Sequence, residues 1–105
     1  MATVLVKYKL PQIFPRDVVM KLFEKSATEI FKDMEGLYSK QFCYNDKTGE
    51  GLSVYHWASR AQADAFFTPE FIANFKVKFG ADPHHEIYDT YLVLDNRAGD
   101  MVIHD

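Results

Sequence analysis

The sequence predicts an α+β domain of ferredoxin-like order, β-α-β-β-α-β, with a four-stranded antiparallel sheet and both helices on one face. Three observations predict it. The first residues alternate in polarity with a period of two. A long stretch over 16–34 then carries apolar residues at spacings of three and four. The same order of strand, helix and strand, begun at residue 51, occurs a second time before residue 95. At 105 residues the chain is the size of one domain. We read 1–95 as that domain and 96–105 as a C-terminal tail, loose or lying against a partner subunit.

The first strand is Thr3–Leu10. Val4, Val6, Tyr8 and Leu10 share one face, with Leu5, Lys7 and Lys9 on the other. Over 16–34, Val18, Val19, Leu22, Phe23, Ala27, Ile30, Phe31 and Met34 form a wide apolar stripe. Pro15 suits the start of that helix, Asp17 favours the positive end of its dipole, and Gly36 stops it. Residues 37–46 and 51–58 read as two strands joined across Asp46–Gly51, which contains Gly49 and Gly51. In the second of them Ser53, Tyr55 and Trp57 alternate with Leu52, Val54 and His56.

Ser59 and Gln62 make a capping box for a helix running to about Phe67. Thr68-Pro69-Glu70 supplies a second N-cap, and Gly80 ends that segment. Phe71, Phe75 and Phe79 share one helical face. The run 84–94 is rich in β-formers, so a last strand carries His85, Ile87, Asp89, Tyr91 and Val93 on one face.

Bulk chemistry excludes several functions. Net charge is −3, and no basic patch marks a nucleic-acid surface. No run approaches the ~20 apolar residues that cross a membrane. The N-terminus lacks the pattern of a signal peptide. One cysteine, Cys43, makes no internal disulfide, so a reducing, cytoplasmic setting is expected. His84 and His85 are adjacent on a strand and point to opposite faces, so no metal site is expected.

With helices on one sheet face, the other presents Leu5, Leu52 and Val54 beside Lys7, Lys9 and His56. That mixture is too apolar to remain uncovered, and pairing with a second copy covers it. RNA-binding domains of the same layout stack bases on aromatic residues of the bare face. The matching positions here are Leu52 and Val54, after an acidic Glu50, so that use is excluded.

Several segments resemble another family in order and spacing. They are Ala2-Thr3-Val4-Leu5, Glu35-Gly36-Leu37, the turn Gly49-Glu50-Gly51 leading to Val54-Tyr55, Ser59-Arg60-Ala61-Gln62-Ala63, and Ala65-Phe66. Over nearly the whole chain to about residue 95, the sequence resembles the YdhR-like branch of the dimeric α+β barrel superfamily. The resemblance implies a homodimer with two sheets face to face, and a pocket in each subunit between sheet and helices. It also implies a mono-oxygenase that needs no cofactor, using dioxygen on a phenol, quinol or polyketide-like substrate. A cyclase or isomerase of the same fold, and a non-catalytic ligand-binding dimer, stay open. A plant polyketide cyclase of this fold has a catalytic His after the Pro of its second helical segment; here Phe71 takes that place. Haem-degrading relatives need a ligand from the helices, which here carry no His.

The helix-facing side carries the candidate site. His85, Tyr55 and Tyr91 are the candidate catalytic residues, with His85 as the base for a phenolic proton. Tyr8, Ser53, Trp57, Phe23, Phe66, Phe71, Phe75 and Asp89 are the candidate substrate contacts. So many polar tips on an aromatic wall suit a hollow core better than a solid one.

Overall fold

The structure is a computed structural model that describes residues 1–103. Its elements are β1 (Ala2–Lys9), α1 (Arg16–Ser26), β2 (Leu37–Tyr44), β3 (Glu50–Trp57), α2 (Arg60–Phe66), α3 (Pro69–Phe79), β4 (His84–Asp89), β5 (Leu92–Asp95) and β6 (Asp100–Ile103). β1 to β4 form one antiparallel sheet in the order β2-β3-β1-β4. This is the ferredoxin-like arrangement expected from the sequence, with the helices on one face.

Register decides which side chains face the helices. Val4 lies opposite Tyr55 on β3 and Ile87 on β4, and Val6 lies opposite Ser53 and His85. These residues therefore share one face. Val4 and Val6 are fully buried there, and Tyr55 and Trp57 nearly so. Each such side chain contributes on the order of 1.5–3 kcal/mol by leaving water. Leu5 lies opposite Val54, and Lys7 opposite Leu52, on the other face, where all but Lys7 are half-buried.

α2 and α3 keep their expected caps, whereas Gly36, expected to stop the first helix, lies beyond its end. The Gln62 N–H donates to Ser59 Oγ at 3.1 Å, and the Phe71 N–H donates to Thr68 Oγ1 at 3.2 Å. In the capping box the Gln62 side chain accepts from the Ser59 hydroxyl. Gly80 closes α3 in the left-handed region at φ 66°. Among the described residues no helix is long and apolar enough to cross a membrane.

Two elements depart from the sequence reading. The helix expected over 16–34 gives way after Ser26 to a π turn, Ala27–Phe31. It is sealed by the Lys32 N–H donating to the Ala27 carbonyl at 2.7 Å. Of the expected stripe, Val19 is buried and Phe23 and Phe31 partly so, while Val18, Leu22 and Ile30 are exposed. The single strand expected over 84–94 stops at Asp89, because its partner β1 begins at Ala2. The Thr90 N–H closes the edge on the Met1 carbonyl at 2.9 Å. Beyond Tyr91 the chain pairs with its own end, Leu92 opposite Ile103, in a hairpin separate from the main sheet. The expected tail, 96–105, thus supplies the turn and second strand of this hairpin, and its last two residues lie outside the described residues.

Candidate functional site

The centre of the helix-facing side is hollow. A cavity of about 350 Å³ lies between the sheet and the helices α1 and α3. That is within the range of small-molecule sites, roughly 300–1,000 Å³.

Its floor comes from three strands. Tyr8 of β1 is opposite Gly51 of β3, and its ring lies over that glycine. A Cβ on Gly51 would come within 2.1 Å of Tyr8 Cζ, so only glycine leaves the ring its place. Tyr8 also meets the ring of Phe75 edge-on at 5.0 Å between centroids. Ser53 and Tyr55 of β3 complete the middle of the floor, with Tyr55 only 1% exposed.

The walls are mostly aromatic. α1 and its π turn contribute Phe23, Ser26, Ile30 and Phe31. Phe66 ends α2, and α3 presents Phe71, Phe75 and Phe79 every four residues. Polar groups are few and placed apart: Thr68, Glu70, Asn74 and Lys78 enter from the start and the outer turns of α3.

Lys40 of β2 is the one charged side chain on the floor. Its Nζ lies 3.6 Å from the ring centroid of Phe31, 4.1 Å from that of Phe42 and 4.6 Å from that of Tyr55. A β-bulge between Leu37 and Ser39 puts it there. Leu37 is opposite Trp57, yet Ser39 is opposite His56 and Lys40 opposite Tyr55. Strict alternation from Leu37 would have turned Lys40 outward; the extra residue flips the phase. Across the cavity, Lys78 Nζ donates to Ser26 Oγ at 3.2 Å, tying the last turn of α3 to that of α1.

These surroundings shift the ionisable groups. Burial pushes the Lys40 ammonium down to about 7, and the nearby Lys78 charge adds to that. The three ring faces act the other way, because their quadrupoles favour a cation. Burial pushes the Tyr8 hydroxyl up to about 12, with Cys43 and Tyr44 adding. Tyr55 is raised further, again by burial first, then by Tyr8, with Ser53 opposing. Both tyrosines therefore remain hydrogen-bond donors at neutral pH.

Seven of the residues named from the sequence meet on this cavity: Tyr8, Ser53, Tyr55, Phe23, Phe66, Phe71 and Phe75. Four do not. Trp57 is buried behind Tyr55, stacked on it at 6.4 Å, and its indole N–H has no hydrogen-bond partner among the described residues. His85 does face the helices, but it stacks on Phe67 at 5.5 Å, outside the cavity wall. Asp89 is at the end of β4, 3.5 Å from Arg60 in a solvent-exposed ion pair. Tyr91 lies past the strand break and is 71% exposed; the expectation that it shares the helix-facing side is corrected by the end of β1. Asp89 and Tyr91 line a separate surface recess with Ser59 and Arg60. Lys40 and Lys78 were not anticipated. The signal available for Lys40 was its shared parity with Phe42 and Tyr44.

Among the described residues no three His, Cys, Asp or Glu side chains converge as metal ligands would. No family model matches the sequence, and no curated protein does. Solved structures do resemble it. One is a Deinococcus radiodurans protein named as a candidate antibiotic biosynthesis monooxygenase. It superposes with a TM-score of 0.62 at 11% identity, covering 90% of this chain and 97% of its own. The chain has the fold of that protein. The Mycobacterium tuberculosis protein Rv0793 superposes with a TM-score of 0.57 at 16% identity, with the same coverage of each chain.

Proposed function

We propose that the chain is a small-molecule enzyme, a cofactor-independent mono-oxygenase acting on an aromatic substrate of the phenol, quinol or polyketide-like class. The observation that carries this reading is the hollow, aromatic helix-side cavity with Lys40 on its floor. The fold shared with a protein named as a candidate antibiotic biosynthesis monooxygenase supports the mono-oxygenase part of it. So do the segments from Ala2 to Phe66 through which the sequence resembles the YdhR-like branch.

A phenol or quinol becomes electron-rich enough to reduce dioxygen once its hydroxyl proton is removed. In this reading the flat ring packs among Phe31, Phe66 and Phe71, and Tyr55 orients it. The base is Lys40: with its ammonium pushed down to about 7, a large share is free amine at neutral pH. After accepting the proton, the ammonium stays beside the phenolate. Tyr8 and Tyr55, still protonated, donate to developing oxygen charge. One oxygen atom of dioxygen enters a ring carbon conjugated with the oxyanion. The other leaves as water, taking the one hydrogen of that carbon and the phenolic proton held on Lys40, so the product is a quinone and the Lys40 amine is restored. His85 is assigned to holding Phe67 in place, rather than to the proton transfer first expected of it.

The working unit in this reading is a homodimer, with the Leu5, Leu52 and Val54 face buried against its copy. The β5–β6 hairpin, with Leu92 and Leu94 exposed, would rest on the partner. The half-buried, unpaired Cys43 fits a reducing cytoplasmic setting.

The test is oxygen uptake with a panel of hydroquinones and naphthols. Uptake matched by quinone formation, falling about 100-fold or more in Lys40→Met, is expected. No uptake with any member, or an unchanged rate in that variant, overturns the reading.

A further inference from the structure

We infer that the cavity binds its aromatic ligand as an anion, held between the ammonium groups of Lys40 and Lys78. This deepens the functional reading by naming the charge of the substrate, and it rests on that reading only in taking this cavity as the site.

Two cations enter a mostly aromatic space, Lys40 from the floor and Lys78 from α3. Among the described residues neither takes part in an ion pair. Lys78 is engaged by neutral groups, the hydroxyl of Ser26, which is itself buried, and the ring of Phe79 at 5.5 Å. The single carboxylate on the wall, Glu70, sits in the first turn of α3, eight residues before Lys78. It is exposed at the rim. A lysine enclosed by Phe31, Phe42 and Tyr55 gives up water without gaining a counter-charge. A ligand oxyanion supplies that charge in a site of low dielectric, where an ammonium–oxyanion contact is strongest. The rings require the rest of the ligand to be flat and apolar.

The class is thus a planar arene carrying one oxyanion, either an aromatic carboxylate or an acidic phenol bound as phenolate. The bound pair is the same whether the ligand arrives as an anion at an ammonium or as an acid at a free amine.

The test compares probes by calorimetry and absorbance. 1-Naphthoate is set against neutral 1-naphthylmethanol, and 4-nitrophenol reports phenolate binding by its yellow anion. Naphthoate is expected to bind at least about tenfold more tightly than the alcohol. That preference should shrink to within about threefold in Lys40→Met, and part-way in Lys78→Met. Lys78 is solvent-exposed at the edge of the cavity, so this second variant is expected to fold even if the first does not. On the acid side of the nitrophenol transition, added protein should bring out the yellow anion if phenolates are accepted. Naphthoate binding without that colour assigns the site to carboxylates, and colour without naphthoate binding assigns it to phenolates; either upholds the inference. Equal or tighter binding of the alcohol together with no colour overturns it, as does a naphthoate preference unchanged in both variants. Neither arm requires turnover. Anion binding without oxygen uptake would end the oxygenase reading alone, and oxygen uptake with a neutral preference would end this one alone.

Discussion

Lys40 and Tyr55 are cross-strand partners on β2 and β3, and the Lys40 Nζ lies 4.6 Å from the centre of the Tyr55 ring. The pair exists because a bulge near Tyr38 turns the second half of β2 over. Phe42 and Tyr44 turn with it, so one extra residue delivers a cation and two rings to the helix side.

Stability should therefore depend on pH through Lys40. Its folded value, about 7, lies below the ordinary lysine value of 10.5. Between those limits the unfolded chain holds a proton that the folded chain has released. Stability from this group thus rises as pH rises from about 7 towards 10.5, and below 7 the full cost of a half-buried ammonium is present. Tyr8 and Tyr55 stay protonated through most of this window, and Glu70 and Lys78 are the other ionisable groups on the wall. Lys40→Met should be more stable than the parent at pH 6, by about 1–3 kcal/mol, with the advantage fading by pH 9–10. Urea unfolding at both pH values reads this, and a difference that does not change with pH would count against it.

Gly51→Ala should cost about 1–3 kcal/mol and spoil ligand binding together. The new methyl would strike Tyr8 at its ring carbons, 2.1–2.3 Å away, and push the ring off the floor. The backbone of Gly51 is not in the left-handed region, so the effect is one of space. Thermal unfolding with naphthoate calorimetry checks it. A variant with parental stability and binding would show that Tyr8 moves aside freely.

Much of this was legible in the sequence because the signals were local. β1 and β3 alternate without interruption, so Val4, Val6, Tyr8, Ser53 and Tyr55 were assigned to the correct face. Ser59, Thr68 and Gly80 are capping residues whose chemistry acts within one turn. The bulge at Leu37–Ser39 was not legible: Leu37-Tyr38-Ser39-Lys40 contains neither Gly nor Pro to mark it. Nor was the π turn, since Ala27–Phe31 continues a helical pattern. Tyr91 was misplaced for a non-local reason. Its segment favours a strand, but the strand it would pair with has already ended. His85 was assigned the right face, while its neighbour Phe67 came from a separate element that alternation cannot position.

The outer sheet face should hold two copies together. Val54 lies on it between Leu5 and Gln41, so Val54→Asp places a carboxylate in the proposed interface. Light scattering at about 50 µM should give the parent twice the chain mass of 12.2 kDa and the variant one such mass. A parent that is monomeric at that concentration would remove the dimer from the account.

The central claim is that Lys40 sits at the ligand site with an abnormally low affinity for its proton. Carbon NMR of protein labelled at the lysine Cε positions tests it most directly, using Lys40→Met to assign the resonance. Lys40 should titrate near 7, and adding 1-naphthoate should keep it charged to higher pH. A Lys40 signal that titrates at the ordinary lysine value, 10.5, and does not respond to naphthoate would contradict it.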